Sequence, residues 1–189
     1  MNILLASASP RRKQLLEELG HRVTVVRPDF DETQIRLRDP AALVCALAEG
    51  KGRSVSVPGG MLLVAADTVV CFEGRILGKP ESRQAAANTL RALSGRVHEV
   101  YTGVYIEKGG FCRSFADRAE VCFRSLSEEE IQAYIATGSP MDKAGAYGIQ
   151  GLASMFVVGL DGDYYNVMGL PICTLTLLLR RFGIRLLGC

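Results

Sequence analysis

Residues 2–20 read NILLASASPRRKQLLEELG, and this stretch carries the fold class. Asn2 to Ala6 is a short apolar run suited to a buried strand. Ser9 and Pro10 then form a helix start: the hydroxyl caps a free N–H, and proline fills the first helical position, where no donor is needed. Apolar pairs recur at helical spacing through QLLEEL, and Gly20 supplies the stop. Arg22 to Val26 (RVTVV) follows as a second strand and opens into the acidic loop Pro28-Asp29-Phe30-Asp31-Glu32.

The same grammar continues outward. Asp39-Pro40 repeats the cap-plus-proline signal before a helix running to about Ser54. Met61 to Phe72 reads as a strand interrupted at Asp67-Thr68, and after the Glu73-Gly74 turn Arg75 to Gly78 returns toward Lys79-Pro80. A helix is expected over Glu81 to Leu93, stopped by Gly95. Val97 to Glu107 and Phe111 to Leu126 alternate in polarity and meet at Lys108-Gly109-Gly110, a hairpin signal. Ser127 with Glu130 three residues on forms a capping box for a helix over Glu128 to Thr137. Beyond the glycine-rich residues 138–151, strands are expected around Ser154 to Leu160 and Tyr164 to Met168. A final helix is expected from Pro171 to Gly183. There is no repeat and no linker, so residues 1–189 read as a single α/β domain, a mixed twisted sheet flanked by helices.

Composition narrows the function. With 48% hydrophobic residues the chain can bury a core, and 22 basic against 20 acidic side chains give a net charge of +2. That balance is not the polyelectrolyte field that grips duplex nucleic acid, and it favours a small ligand. Cys45, Cys71, Cys112, Cys122, Cys173 and Cys189 show no paired spacing of a zinc site, and only His21 and His98 could assist them. The opening MNILLASASPRR places its basic residues after the apolar run, the reverse of a secretory signal. The longest apolar stretch, Met168 to Leu179, falls short of the ~20 residues that span a bilayer. A cytoplasmic protein with reduced thiols and no membrane partner is the expectation.

Several residues are candidates for chemistry. The turn Ser7-Ala8-Ser9-Pro10-Arg11-Arg12 brings amide N–H groups and the positive end of a helix dipole to one point. Two arginines there oppose that dipole unless a multiply charged anion neutralises them; the competing reading is a solvated surface turn. Asp67 stands inside the apolar LLVAADTVVCF, where a carboxylate is costly unless used. It can hold a divalent metal, act as a base on water, or pair with a lysine such as Lys79. Lys51 is flanked by Gly50 and Gly52, which weaken a helix but admit a close neighbour. Asp29, Asp31 and Glu32 offer oxygen ligands of the kind Mg²⁺ and Mn²⁺ prefer, or are simply surface acids. In DKAGAYGIQG (residues 142–151), the Gln150 amide can both donate to and accept from a base edge. No Walker-type G-x-x-x-x-G-K-[ST] motif is present.

Six blocks in order give the chain its likeness to a known family: ILLASASPRRKQLLEELG, Asp31-Glu32 with Lys51, AADTVV (65–70), GKP (78–80), DKAGAYGIQG and GLP (169–171). In these it resembles the Maf (septum-formation-inhibitor-like) nucleotide pyrophosphatases over nearly its whole length. The resemblance implies two lobes around a deep nucleotide-binding cleft and metal-assisted hydrolysis of nucleoside triphosphates between the α and β phosphates. The intact DKAGAYGIQG block is similar to the dTTP/UTP branch, with Arg11, Thr68 and Gln150 at the positions tied to substrate choice. Asp67 matches the proton acceptor, and Ser7, Arg12, Glu32, Lys51, Lys79 and Lys143 match the polar cleft lining. Glu32 and Asp67 are the implied holders of Mg²⁺ or Mn²⁺, and a homodimer is common among such proteins. A pyrophosphatase for modified nucleotides such as 7-methyl-GTP, and a non-catalytic nucleotide-binding regulator of septum formation, are the alternatives. Ala65 stands where many relatives have glycine.

Overall fold

The computed structural model describes residues 1–181, 183 and 184. Phe182, within the expected last helix, and Cys189 lie outside the described residues. The strands are β1 (Asn2–Ala6), β2 (Arg22–Val26), β3 (Leu62–Phe72), β4 (Arg75–Leu77), β5 (Val97–Lys108), β6 (Phe111–Phe123) and β7 (Val157–Asp161). The helices are α1 (Pro10–Glu18), α2 (Pro40–Arg53), α3 (Arg83–Leu93), α4 (Glu128–Ala136), α5 (Tyr164–Met168) and α6 (Ile172–Arg181). One mixed sheet runs β2-β1-β3-β5-β6-β7, with β4 on the free part of β3. β1 pairs in parallel with both β2 and β3, and the remaining pairings are antiparallel.

Local chemistry explains most boundaries. The side chains of Ser9, Asp39 and Ser82 each accept an N–H at the start of α1, α2 and α3. Ser127 and Glu130 form the full reciprocal capping box of α4. Three expectations need correction. β3 is not interrupted at Asp67-Thr68, because its ladder to β5 uses backbone groups and continues through both residues. Tyr164–Met168 is a short helix rather than a strand: Asp163 caps its start and Gly169, at φ 107°, ends it. Residues Gly151–Phe156 form 3-10 turns, so the strand expected from Ser154 begins at Val157.

Side-chain alternation along β3 divides the interior. Leu62, Val64 and Ala66 point into one core with Leu15, Leu16, Leu170 and Leu175. Leu63 and Ala65 point to the opposite face with Ala48 and Tyr105. Farther along, Val70 joins a separate core with Leu90, Val100, Phe123, Ile131 and Phe156. Asp67 and Thr68 fall at the waist between the cores, which is where two lobes meet over a cleft.

Candidate active-site cleft

The cleft originates in a gap in strand pairing. On one edge of β3, β1 pairs as far as Ala65 and β4 begins at Val70. Among the described residues no strand covers residues 66–69 on that edge, so the waist opens to a cavity of about 810 Å³. Carboxyl ends of parallel strands at such a break are where open α/β sheets bind ligands. The ten residues given a site role by the resemblance all line it, namely Ser7, Arg11, Arg12, Glu32, Lys51, Asp67, Thr68, Lys79, Lys143 and Gln150, whereas the candidate oxygen ligands Asp29 and Asp31 do not.

Asp67 and its β5 partner Gly103 face α2. A Cβ on Gly103 would lie 2.2 Å from the Val44 carbonyl, so the missing side chain lets α2 settle directly on the sheet. Val44, Leu47, Ala48 and Lys51 share the buried face of α2, at the spacing that aligns one side of a helix. The Lys51 ammonium thereby reaches the Asp67 carboxylate, a contact only 11% and 14% exposed at the two side chains. Glu32, on the Glu32–Gln34 3-10 turn, meets the same ammonium at 2.9 Å. Two carboxylates thus converge on one cation. The glycines around Lys51 serve close packing: a Cβ at Gly50 would fall 2.2 Å from the Phe30 ring, and one at Gly52 2.2 Å from Tyr105. Asp31 is occupied locally, accepting from the Thr33 N–H and hydroxyl, and these bonds hold its carboxyl below the usual range.

Thr68 faces the other way and belongs to a chain of hydrogen bonds. The Arg12 guanidinium donates to the Gly169 carbonyl (2.7 Å), to Ser7 Oγ (3.0 Å) and to Thr68 Oγ1 (3.0 Å). Thr68 also shares a hydrogen bond with Thr102 (2.9 Å), whose hydroxyl donates to the Asn166 carbonyl at 2.8 Å. The Asn166 amide in turn donates to the Val100 carbonyl. Burial lowers the Arg12 pKa, Asp67 raises it, the adjacent Arg11 lowers it and Glu32 raises it. The guanidinium keeps its charge, since arginine starts far above neutrality. Arg12 is therefore a fixed strut and Thr68 its anchor. Ser7 also accepts from the Ser9 N–H at 3.2 Å, which shapes the turn into α1.

The far wall comes from the glycine-rich segment, tied to the end of β4 by the Gly145 N–H donating to the Gly78 carbonyl. Lys143 is held by the Ser139 carbonyl (2.6 Å) and by Asp142 (2.5 Å), which depresses the Asp142 pKa. Tyr147 is buried against Phe123, and its hydroxyl meets His98 Nε2 at 2.8 Å. Gln150 is exposed at the rim. Among the described residues Arg11 and Lys79 make no hydrogen bond or ion pair. Sequence reasoning missed Arg27, Thr102 and Asn166. Thr102 and Asn166 carry a signal in hindsight, polar side chains fully buried within apolar surroundings. Arg27 carries none, since an arginine after a strand reads as solvated surface.

Six cationic side chains (Arg11, Arg12, Arg27, Lys51, Lys79, Lys143) and three anionic ones (Glu32, Asp67, Asp142) line the cleft. Fold and site together define an α/β protein with a cationic cleft over a carboxylate floor, suited to a polyanion. The chain belongs to the Maf-like protein family, whose profile matches residues 2–182. It is 48% identical over 190 residues to the dTTP/UTP pyrophosphatase of Moorella thermoacetica, covering 98% of this chain and 97% of that protein. A protein of the same name from Bacillus cereus is 47% identical over 183 residues, covering 96% of this chain and 90% of its own length. Among solved structures, the nucleoside-triphosphatase / dITP/XTP pyrophosphatase of Mycobacterium abscessus is a distant likeness. It has 13% identity and a TM-score of 0.43, with 97% of each chain covered. No helix among the described residues is long and apolar enough to cross a membrane.

Proposed function

We propose that this chain hydrolyses dTTP and UTP between the α and β phosphates, releasing the nucleoside monophosphate and pyrophosphate. One observation carries the reading: Glu32 and Asp67 converge on Lys51 at the floor of a cleft whose walls hold an excess of positive charge. Pure nucleotide binding has no use for a nearly buried carboxylate there. The printed activity of the relatives at 47–48% identity supports the same substrate class.

Water attacks the α phosphorus, the α–β bridging oxygen departs with pyrophosphate, and the proton of the water passes to Asp67. Catalysis of this kind rests mainly on positioning and on neutralising charge. Arg11 and Lys79, in no hydrogen bond or ion pair among the described residues, are free to meet phosphate oxygens, and Lys51 lies beside the reacting centre. Arg12, held on three sides, keeps the strand-to-helix turn in place. Gln150 meets the O4/N3 edge of the pyrimidine.

A divalent metal fits the donors present. Among the described residues no cluster of three or more His, Cys, Asp or Glu forms a closed cage, but Mg²⁺ and Mn²⁺ characteristically bind one or two carboxylates and complete their shell with phosphate and water. Glu32 and Asp67, whose oxygens already meet on one cation, would hold it. When bound, such an ion neutralises phosphate charge and lowers the pKa of a bound water. A cytoplasmic enzyme that clears the nucleotide pool, acting as a homodimer, completes the reading.

The test is pyrophosphate release from a panel of nucleoside triphosphates with Mg²⁺ or Mn²⁺, run beside Asp67→Asn. Preferential cleavage of dTTP and UTP is expected, with kcat falling about 10²–10⁴-fold in the variant. Preference for 7-methyl-GTP, or full turnover by Asp67→Asn, would overturn the substrate or the base respectively.

A further inference from the structure

We propose that Arg27 is a substrate-binding residue that grips the pyrophosphate end of the triphosphate. This rests on the reading of the cleft as a nucleoside triphosphate site and extends it to a residue outside the recognised motif blocks.

The placement follows from strand register. β1 and β2 pair in parallel with Ala6 opposite Val26, the last residue of each strand. Ser7 and Arg27 therefore leave the sheet side by side, about 4.8 Å apart, the spacing of neighbouring strands. Ser7 begins the turn whose amides and helix N-terminus face the cleft. Arg27 flanks that turn on the β2 side and itself lines the cavity. Among the described residues it makes no hydrogen bond or ion pair. An arginine beside a helix N-terminus that forms no ion pair adds charge where the dipole is already positive.

Direction comes from the wall on which Arg27 sits. The segment from Arg27 to Glu32 runs from the end of β2 to the carboxylate that meets Lys51, with Phe30 lying on Gly50 between them. Phosphates at the Glu32–Asp67 floor lie against this wall. The groups suited to a base edge, Gln150 and its neighbours, belong to the segment tied to β4, which pairs with the same edge of β3 beyond the gap, at the other end of the opening from β1 and β2. Arg27 has five donors and no acceptor in a planar fork, which matches phosphate oxygens rather than the mixed edge of uracil or thymine. A triphosphate with its base toward Gln150 and its α phosphorus over Asp67 places its β and γ phosphates beside Arg27.

The experiment measures binding of inorganic pyrophosphate and, separately, of UMP, both with Mg²⁺, to the wild type, Arg27→Gln and Arg27→Lys. Arg27 is exposed, so both variants should melt with the wild type. Loss of a charge-assisted contact should weaken pyrophosphate binding about ten- to a hundred-fold in Arg27→Gln. UMP binding should stay within about twofold by the same arithmetic, and Arg27→Lys should recover part of the loss. Unchanged pyrophosphate affinity, an equal loss for UMP, or a wild type that binds no pyrophosphate would each overturn the assignment. A wild type that binds pyrophosphate but cleaves no triphosphate would sink the hydrolase reading instead, and the Arg27 comparison would still stand or fall on pyrophosphate.

Discussion

Acidification should remove a defined share of stability through His98. This imidazole is 1% exposed and packs edge-on against Phe123 and Tyr147. Its Nε2 meets the Tyr147 hydroxyl, while its Nδ1 has no partner among the described residues. A second proton would be buried without an acceptor, and burial lowers the pKa from 6.5 to about 4. Between those values the unfolded chain holds a proton that the folded chain does not, so stability rises with pH there. The contribution is complete above 6.5, falls by about 1.4 kcal/mol per pH unit below it, and levels off near pH 4 after a loss of about 3 kcal/mol. Urea unfolding at pH 7.5, 6, 5 and 4.5, followed by far-UV circular dichroism, measures this against His98→Gln, which can still bond Tyr147 but does not titrate. Carboxylates such as Glu128 and Glu130, held at about 2 by Arg91 and Arg124, lose their share in both proteins at lower pH. The difference between the two curves isolates the histidine. Parallel curves down to pH 4.5 would show that His98 accepts a proton in the folded state at its ordinary pKa.

Two further outcomes are expected. Thr68→Val severs the hydroxyl from both Arg12 and Thr102, so kcat/KM should fall for UTP and CTP in parallel; Gln150→Leu should instead narrow the ratio between them, and steady-state kinetics on both nucleotides separates strut from reader. Gly52→Ala drives a methyl into the buried Tyr105 ring, which should destabilise the fold by about 1–3 kcal/mol despite the better helix former, as read by chemical denaturation.

Much of this was legible in the sequence, for identifiable reasons. Ser9-Pro10, Asp39-Pro40 and Ser127 with Glu130 are chemical instructions about backbone N–H groups, and those instructions are local. Asp67 was conspicuous because an apolar strand has no structural use for a carboxylate. The reading failed where tertiary context wins. Tyr164–Met168 has strand-like composition, yet a capping aspartate and a following glycine give it one short helix packed on β5. Thr68 lines the cleft at a position the resemblance ties to substrate choice, and what the sequence could not give is that the fold also brings Arg12 and Thr102 to its hydroxyl. The gap between β1 and β4 that opens the cleft is a property of pairing, invisible in any single segment.

The strut formed by Arg12 also has a temporal meaning. Its longest hydrogen bond in sequence, to the Gly169 carbonyl, spans 157 positions, and the chain it anchors runs through Asn166. While the protein is being synthesised, the first arginines emerge long before the segment that fixes them. A ribosome-bound fragment ending before α5 holds the basic turn and the Asp67 strand but lacks the clasp between them. Closure of the basic turn therefore waits on the segment from Asn166 to Gly169, and a basic turn read early in the chain is set by residues read late.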